Sequence, residues 1–194
     1  MSVRVITPPT ETVTAVDEAK LHLRIDASDE DDLVDALTWA AQGQIEATTQ
    51  RRYCAQVLEW VRDCWGDQMV LPVAPGTDCS KITVVSVKYV DTTGALQTLD
   101  PNLYWVRPHG PTLAVVRRWF TIWPWLGDGA ERVVIRFSIA STAGDAPFTV
   151  KAAAKLLIGH FYAHREAVVG VDNRDSSAPL PIGVEQLLNA ERWD

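Results

Sequence analysis

The chain has 194 residues, 47% of them apolar, with 18 basic against 25 acidic side chains and a formal net charge of −7. That is enough apolar sequence for a buried core, and the acidic balance argues against a protein that grips nucleic-acid phosphates for its affinity. No long uncharged apolar run occurs, and the start MSVRVITPPTETV lacks the charged and apolar regions of a secretion signal; neither a spanning helix nor a signal peptide is expected, and synthesis in a cytoplasm is.

Residues 1 to 13, with two prolines and three threonines, read as extended and partly mobile. Thr14 stands three residues before Asp17, a capping-box spacing with Asp in place of Glu, and Val16, Ala19 and Leu23 continue at helical spacing, which predicts a short helix over 15–24. The run DASDEDD at 26–32 then starts a second helix. Ser28 is placed to cap it, and Asp29, Glu30 and Asp31 put negative charge where the helix dipole favours it. A calcium loop is not indicated, because the glycine and spacing of an EF-hand are absent.

This second helix is predicted over 29–51, with Leu33, Ala36, Leu37, Ala40, Ala41, Ile45 and Thr48 on one stripe. Its small alanines invite close approach by the predicted helix at 148–167, where Val150, Ala153, Leu157, Phe161 and Ala163 share a face. Both faces read as core of the monomer.

Between these helices the period changes to alternation, and Val, Ile, Thr, Trp and Tyr dominate between Pro and Gly punctuation. Strands are predicted near 55–63, 81–90, 95–99, 103–107, 112–117 and 131–139, with hairpin connections at DTTG (91–94) and PHGP (108–111). The fold class is therefore α+β: an antiparallel helical bundle with an inserted small antiparallel β domain. The expected organisation is a helical part over 1–53, the β insertion over 54–147, a long helix over 148–168, and a tether with a docking segment over 169–194.

Six of the eight tryptophans lie in the insertion, and RWFTIWPWLGDG at 118–129 is its most aromatic stretch. Such rings ordinarily fill and cover a small β core. Alternatively Trp119, Trp123 and Trp125 form a partner interface, since tryptophan is enriched at binding hot spots. After the polar stretch GVDNRDSSAP the end of the chain carries Leu180, Pro181, Ile182, Val184, Leu187, Leu188 and Trp193, which read either as a tethered docking segment or as a terminal helix packed on its own domain.

Nothing in the sequence assembles a catalytic site. His160 and His164 have the i, i+4 spacing of two metal ligands, but Phe161 stands where HExxH has Glu and no third ligand is suggested, so helix packing or hydrogen bonding is preferred. The three cysteines, Cys54, Cys64 and Cys79, have no CxxC spacing and read as reduced thiols. Phosphate loops and nucleophile elbows are missing, and no cofactor is expected.

The order DEAKLHLRID, DEDDLVDALTWAAQGQIEATTQRRY, LPVAPGTDCSKITVVSVKYVDTTG, AAAKLLIGHFYAHRE and LPIGVEQLLNAERW resembles the head-tail connector, or adaptor, proteins of long-tailed phages and gene transfer agents, in a longer form with a β insertion. The resemblance covers nearly the whole chain and rests on the order and spacing of its motifs. It implies a structural protein of the virion neck, a ring of twelve copies below the portal protein, around double-stranded DNA that passes without sequence-specific binding. The ring would link the capsid to a stopper or tail-completion protein, with the segment from Leu180 to Trp193 reaching the portal. It implies no membrane partner, and assembly in the host cytoplasm. Rival readings are a carbohydrate- or receptor-binding module built on the tryptophans, with rings aligned on one sheet face, and a stopper or tail terminator.

Overall fold

The computed structural model describes residues 2–75, 79–164 and 182–192. The chain divides into two compact units: Met1–Thr10 with Cys54–Ser141, and Glu11–Tyr53 with Thr142–Asp194. One is built of strands and the other of helices, so the class is α+β.

The β unit contains two antiparallel sheets. Five strands, β1 (Ser2–Thr7), β3 (Gln56–Arg62), β6 (Ile82–Val90), β7 (Leu96–Thr98) and β10 (Val133–Ile139), pair in the order β1-β3-β10-β6-β7. Three more, β4 (Gln68–Val70), β8 (Tyr104–His109) and β9 (Thr112–Arg117), pair as β4-β9-β8. Two-residue extended pieces, β2 (Arg51–Arg52) and β5 (Ala74–Pro75), complete the numbering.

Alternation sets which side chains go inside. Along β10, Val133, Ile135, Phe137 and Ile139 are buried while Val134, Arg136 and Ser138 are half-exposed. The inward residues join Leu58 and Trp60 of β3, Val87 of β6, Met69 of β4 and Val115 of β9 in one core supplied by both sheets. On the outer side Arg136 lies opposite Glu59 and donates to its carboxylate from Nε at 2.8 Å.

Both expected hairpins form. In the β6–β7 turn the Asp91 carboxylate accepts from the Thr93 and Ala95 backbone N–H groups at 2.8 and 3.1 Å, while Gly94 takes φ +83°. Hydrogen bonds from the Thr93 hydroxyl and then the Gln97 amide, with those N–H groups, hold the Asp91 carboxyl down at about 2. The β8–β9 turn closes around Gly110 at φ +57° with His109 paired to Thr112.

One glycine is fixed by close approach. Gly127 donates its N–H to the Val90 carbonyl at 3.0 Å, and a Cβ there would stand 2.3 Å from the Asp91 carbonyl oxygen. Gly127→Ala is expected to lower the stability of the β unit by about 1–3 kcal/mol, the usual range for overpacking, read as an earlier urea midpoint by tryptophan fluorescence.

The helical unit contains α1 (Val16–Leu23), α2 (Asp31–Thr49), α3 (Phe148–Ala163) and α4 (Ile182–Asn189), with α2 and α3 packed on each other and both touching α1 and α4. Ala41 of α2 and Ala153 and Ala154 of α3 are buried, the close approach that small side chains permit. Among the described residues no helix is long and apolar enough to cross a membrane.

Several expectations are corrected. Residues 2–7 form a strand paired with β3, because alternating Val3 and Val5 fit an antiparallel edge whose partner lies fifty residues on. Thr14 and Ser28 do not cap: the N-caps are Ala15 and Glu30, neither with a side-chain cap bond, and the buried Thr14 hydroxyl has no partner among the described residues. The buried stripe of α2 is Val34, Thr38, Ala41, Gln42, Ile45 and Thr49, so Leu33, Leu37, Ala40 and Thr48 are displaced from the core. Polar members of the stripe are tolerated because each is satisfied. The Gln42 side-chain oxygen accepts from the Val13 N–H at 2.9 Å, and the Thr38 and Thr49 hydroxyls donate to carbonyls of their own helix.

Tyr53 closes the first part of the helical unit, fully buried, and burial pushes its phenol up to about 12. The unfolded chain loses this proton near pH 10, so its contribution is complete below pH 10 and falls as pH rises toward 12, by about 2–3 kcal/mol. Tyr53→Phe is expected to flatten that part of the stability-against-pH curve measured by urea unfolding.

Candidate functional site

The loop from β9 to β10 begins at Arg118, which donates its N–H to the Leu103 carbonyl at 2.9 Å. Its carbonyl in turn accepts from the Thr121 N–H at 3.3 Å and lies 2.7 Å from the Thr121 hydroxyl, while the Arg117 guanidinium donates to the Thr121 carbonyl. This tight turn holds Phe120 at φ +63°, a conformation that bulky side chains rarely adopt. The backbone is thus fixed, yet its apolar side chains face solvent: Trp119 is 73% exposed, Phe120 fully, Ile122 82% and Trp125 84%. The hydrogen-bonded loop thus leaves four large apolar side chains exposed close together in the sequence, the kind of patch that in general marks interaction sites.

The tryptophans divide by role. Trp123 stacks on Trp65 with ring centroids 4.7 Å apart and planes 11° from parallel, and donates to the Gly66 carbonyl at 3.1 Å. Trp65 donates to the Pro124 carbonyl at 2.9 Å. These two rings pin the loop to the β core, against which both are packed. Trp119 meets Trp105 edge-on at 5.5 Å, and Arg107 and Arg118 lie over the Trp105 ring at 4.3 and 5.5 Å. Beside the stacked pair is a cavity of about 620 Å³, lined among others by Trp125, Ile122, Arg117 and Arg132. Of the predicted interface residues, Trp119 and Trp125 are therefore presented to solvent and Trp123 supports them. Phe120, the most exposed of the group, and Ile122 were not singled out from the sequence, although both lie in the same aromatic run.

At the other predicted surface, Val184 and Leu188 of α4 are fully buried and Leu187 is half-buried. Glu191, just after α4, accepts from Arg51 at its carbonyl (2.8 Å) and from the Thr149 hydroxyl at its carboxylate (2.8 Å). Ile182 opens α4; Leu180, Pro181 and Trp193 lie outside the described residues. On α3, Val150, Ala153 and Leu157 are buried as expected, whereas Phe161 is half-exposed and lines a groove of about 280 Å³ with Leu33, Leu37, Ala40 and His164. That groove is where the displaced residues of α2 are found.

His160 and His164 do share a helical face. The His164 ring nitrogen lies 2.9 Å from the His160 carbonyl, and the ring centroids are 4.5 Å apart. Among the described residues no group of three His, Cys, Asp or Glu side chains is placed to hold a metal, and Cys54, Cys64 and Cys79 form no disulfide.

The fold so described, an antiparallel two-sheet β unit inserted in a helical unit, is shared with proteins of known architecture. No family model matches the chain and no curated protein matches it. Solved structures do. A chain in the neck of an empty gene transfer agent particle computed with C6 symmetry superposes with TM-score 0.73 at 22% identity, over 99% of this chain and 95% of that one. Chains from the virion of a native gene transfer agent particle (TM-score 0.73) and from the neck of a native particle computed with C12 symmetry (0.72) match at 23% identity over the same shares. The likeness establishes the fold over the whole chain, and it agrees with the resemblance to neck proteins drawn from the sequence.

Proposed function

We propose that this protein is a structural, non-enzymatic connector of the neck of a phage-like or gene transfer agent particle. It forms a ring, of twelve copies in the reading favoured here, that joins the portal protein to the stopper or tail-completion protein around the DNA channel. The full-length likeness to neck chains carries this reading, and the C12 symmetry named for one of those necks supports the copy number.

Charge supports a passage for DNA in place of a grip on it. The helical unit carries seventeen acidic against nine basic residues and the β unit eight against nine. An acidic helical lining would repel phosphate and let the duplex slide. The rival carbohydrate-binding reading asked for rings aligned on a sheet face; the exposed rings instead stand on the β9–β10 loop, and the faces of Trp65 and Trp123 are turned to each other.

The test is to mix the purified protein with the portal ring from the same genome and measure the mass and end-on symmetry of the complex. Stoichiometric addition around the portal is the expected result. Absence of binding, with both proteins folded, would move the assignment to a stopper or tail terminator. Within the C-terminal segment, Leu180, Pro181, Ile182, Leu187 and Trp193 remain the proposed portal contacts, while the buried Val184 and Leu188 anchor α4 in the helical unit. Trp193→Ala is expected to weaken portal binding by about 2 kcal/mol, roughly thirtyfold, with an unchanged Tm; full binding by that variant would remove Trp193 from the contact.

A further inference from the structure

Two surfaces of this chain are both apolar at their centre and differ in the charge around them, and both are open to solvent. On the β unit the fixed turn projects Trp119, Phe120 and Ile122, bordered by Arg107, Arg117 and Arg118. On the helical unit Leu33, Leu37, Ala40, Phe161 and His164 line a groove in the N-terminal half of α2, the end that carries the exposed Asp29 and Asp32. We propose that the aromatic loop of one copy seats in the α2–α3 groove of the next, so that this is the contact between neighbouring copies of the chain.

Three observations point to a second copy as the occupant. Arginines border the projection and exposed carboxylates stand at the N-terminal end of the helix that lines the recess, which aligns the two in one direction and sets like charges against each other in the wrong pairing. The imbalance is global as well: the helical unit is strongly acidic and the β unit is not. Area also suffices. Trp and Phe bury about 150–250 Å² each, and with the matching groove surface the contact approaches the ~1,000 Å² expected of a specific interface. A projection on one part of the chain that fits a recess on another part makes a heterologous contact, the kind that closes into rings. The inference deepens the ring reading above and rests on it for closure; the pairwise contact stands on the two surfaces.

The test uses the full chain with Cys64→Ser and Cys79→Ser, carrying either Phe120→Cys or Leu37→Cys. Under mild oxidation a mixture of the two proteins should give a disulfide-linked dimer, each alone should give little, and a chain carrying both cysteines should give a ladder of covalent oligomers, in solution or on the portal. A second arm reverses charge. Arg107→Glu or Asp32→Lys alone should lower assembly at least tenfold, and the two together should restore much of it. Assembly on the portal with no cross-link and no effect of charge reversal overturns this contact and leaves the neck assignment standing. A dimer formed by Phe120→Cys alone overturns it in favour of a two-fold contact. Folded protein that neither cross-links nor joins the portal overturns both.

Discussion

Replacing Phe137 by Ala should destabilise the β unit by about 3–5 kcal/mol, a large part of the stability of a domain this size. Phe137 is fully buried on β10, the middle strand of the five-stranded sheet, flanked by Leu58 on β3 and Val84 on β6. No neighbouring strand can close the hole without breaking its own pairing, so the cavity term should be near its upper range. Six tryptophans lie in this unit, and urea unfolding followed by their fluorescence should show the midpoint fall. An unchanged midpoint would mean that Phe137 is not part of a close-packed centre.

Leu188→Ala should cost the helical unit about 2–5 kcal/mol, read as an earlier loss of far-ultraviolet circular dichroism. The sequence permits a stronger expectation, that the segment after residue 176 can be removed with the fold intact, and the structure revises it. Val184 and Leu188 are both fully buried on the inner side of α4, which packs against α2 and α3, and Glu191 bonds to Arg51 and Thr149. Deletion of 176–194 would uncover that core and confound any loss of portal binding with partial unfolding. Point substitutions at Leu180 or Trp193 separate the two effects, since a docking residue alters affinity and a core residue alters stability. A Leu188→Ala protein as stable as the parent would show that α4 does not hold the unit together.

Periodicity carried much of the fold. The helices at 16–23, 31–49 and 148–163 begin and end within a few residues of where the apolar spacing places them, and the strand pairs around DTTG and PHGP close as their turn chemistry requires. β1 and the three-residue β4 were not legible, because short extended segments acquire strand character only from a partner. The face of α2 was misjudged by about one residue for a related reason. Apolarity alone favours Leu33, Leu37 and Ala40, whereas burial of Gln42, Thr38 and Thr49 depends on acceptors and donors that a sequence does not display.

The aromatic run shows the same division. Its density at 118–129 was visible, but which rings support and which project was not, since that follows from the turn at Arg118–Thr121 and from the stacking of Trp65 on Trp123. By itself the sequence determined the class of fold and the acidic balance, because these depend on residue types and their local spacing. Only the tertiary structure decided that β1 completes the sheet, that Val184 and Leu188 are core, and that Phe120 and the Leu33–Leu37–Ala40 face are left open. Those outcomes are set by which distant segments meet, and burial is a property of the meeting.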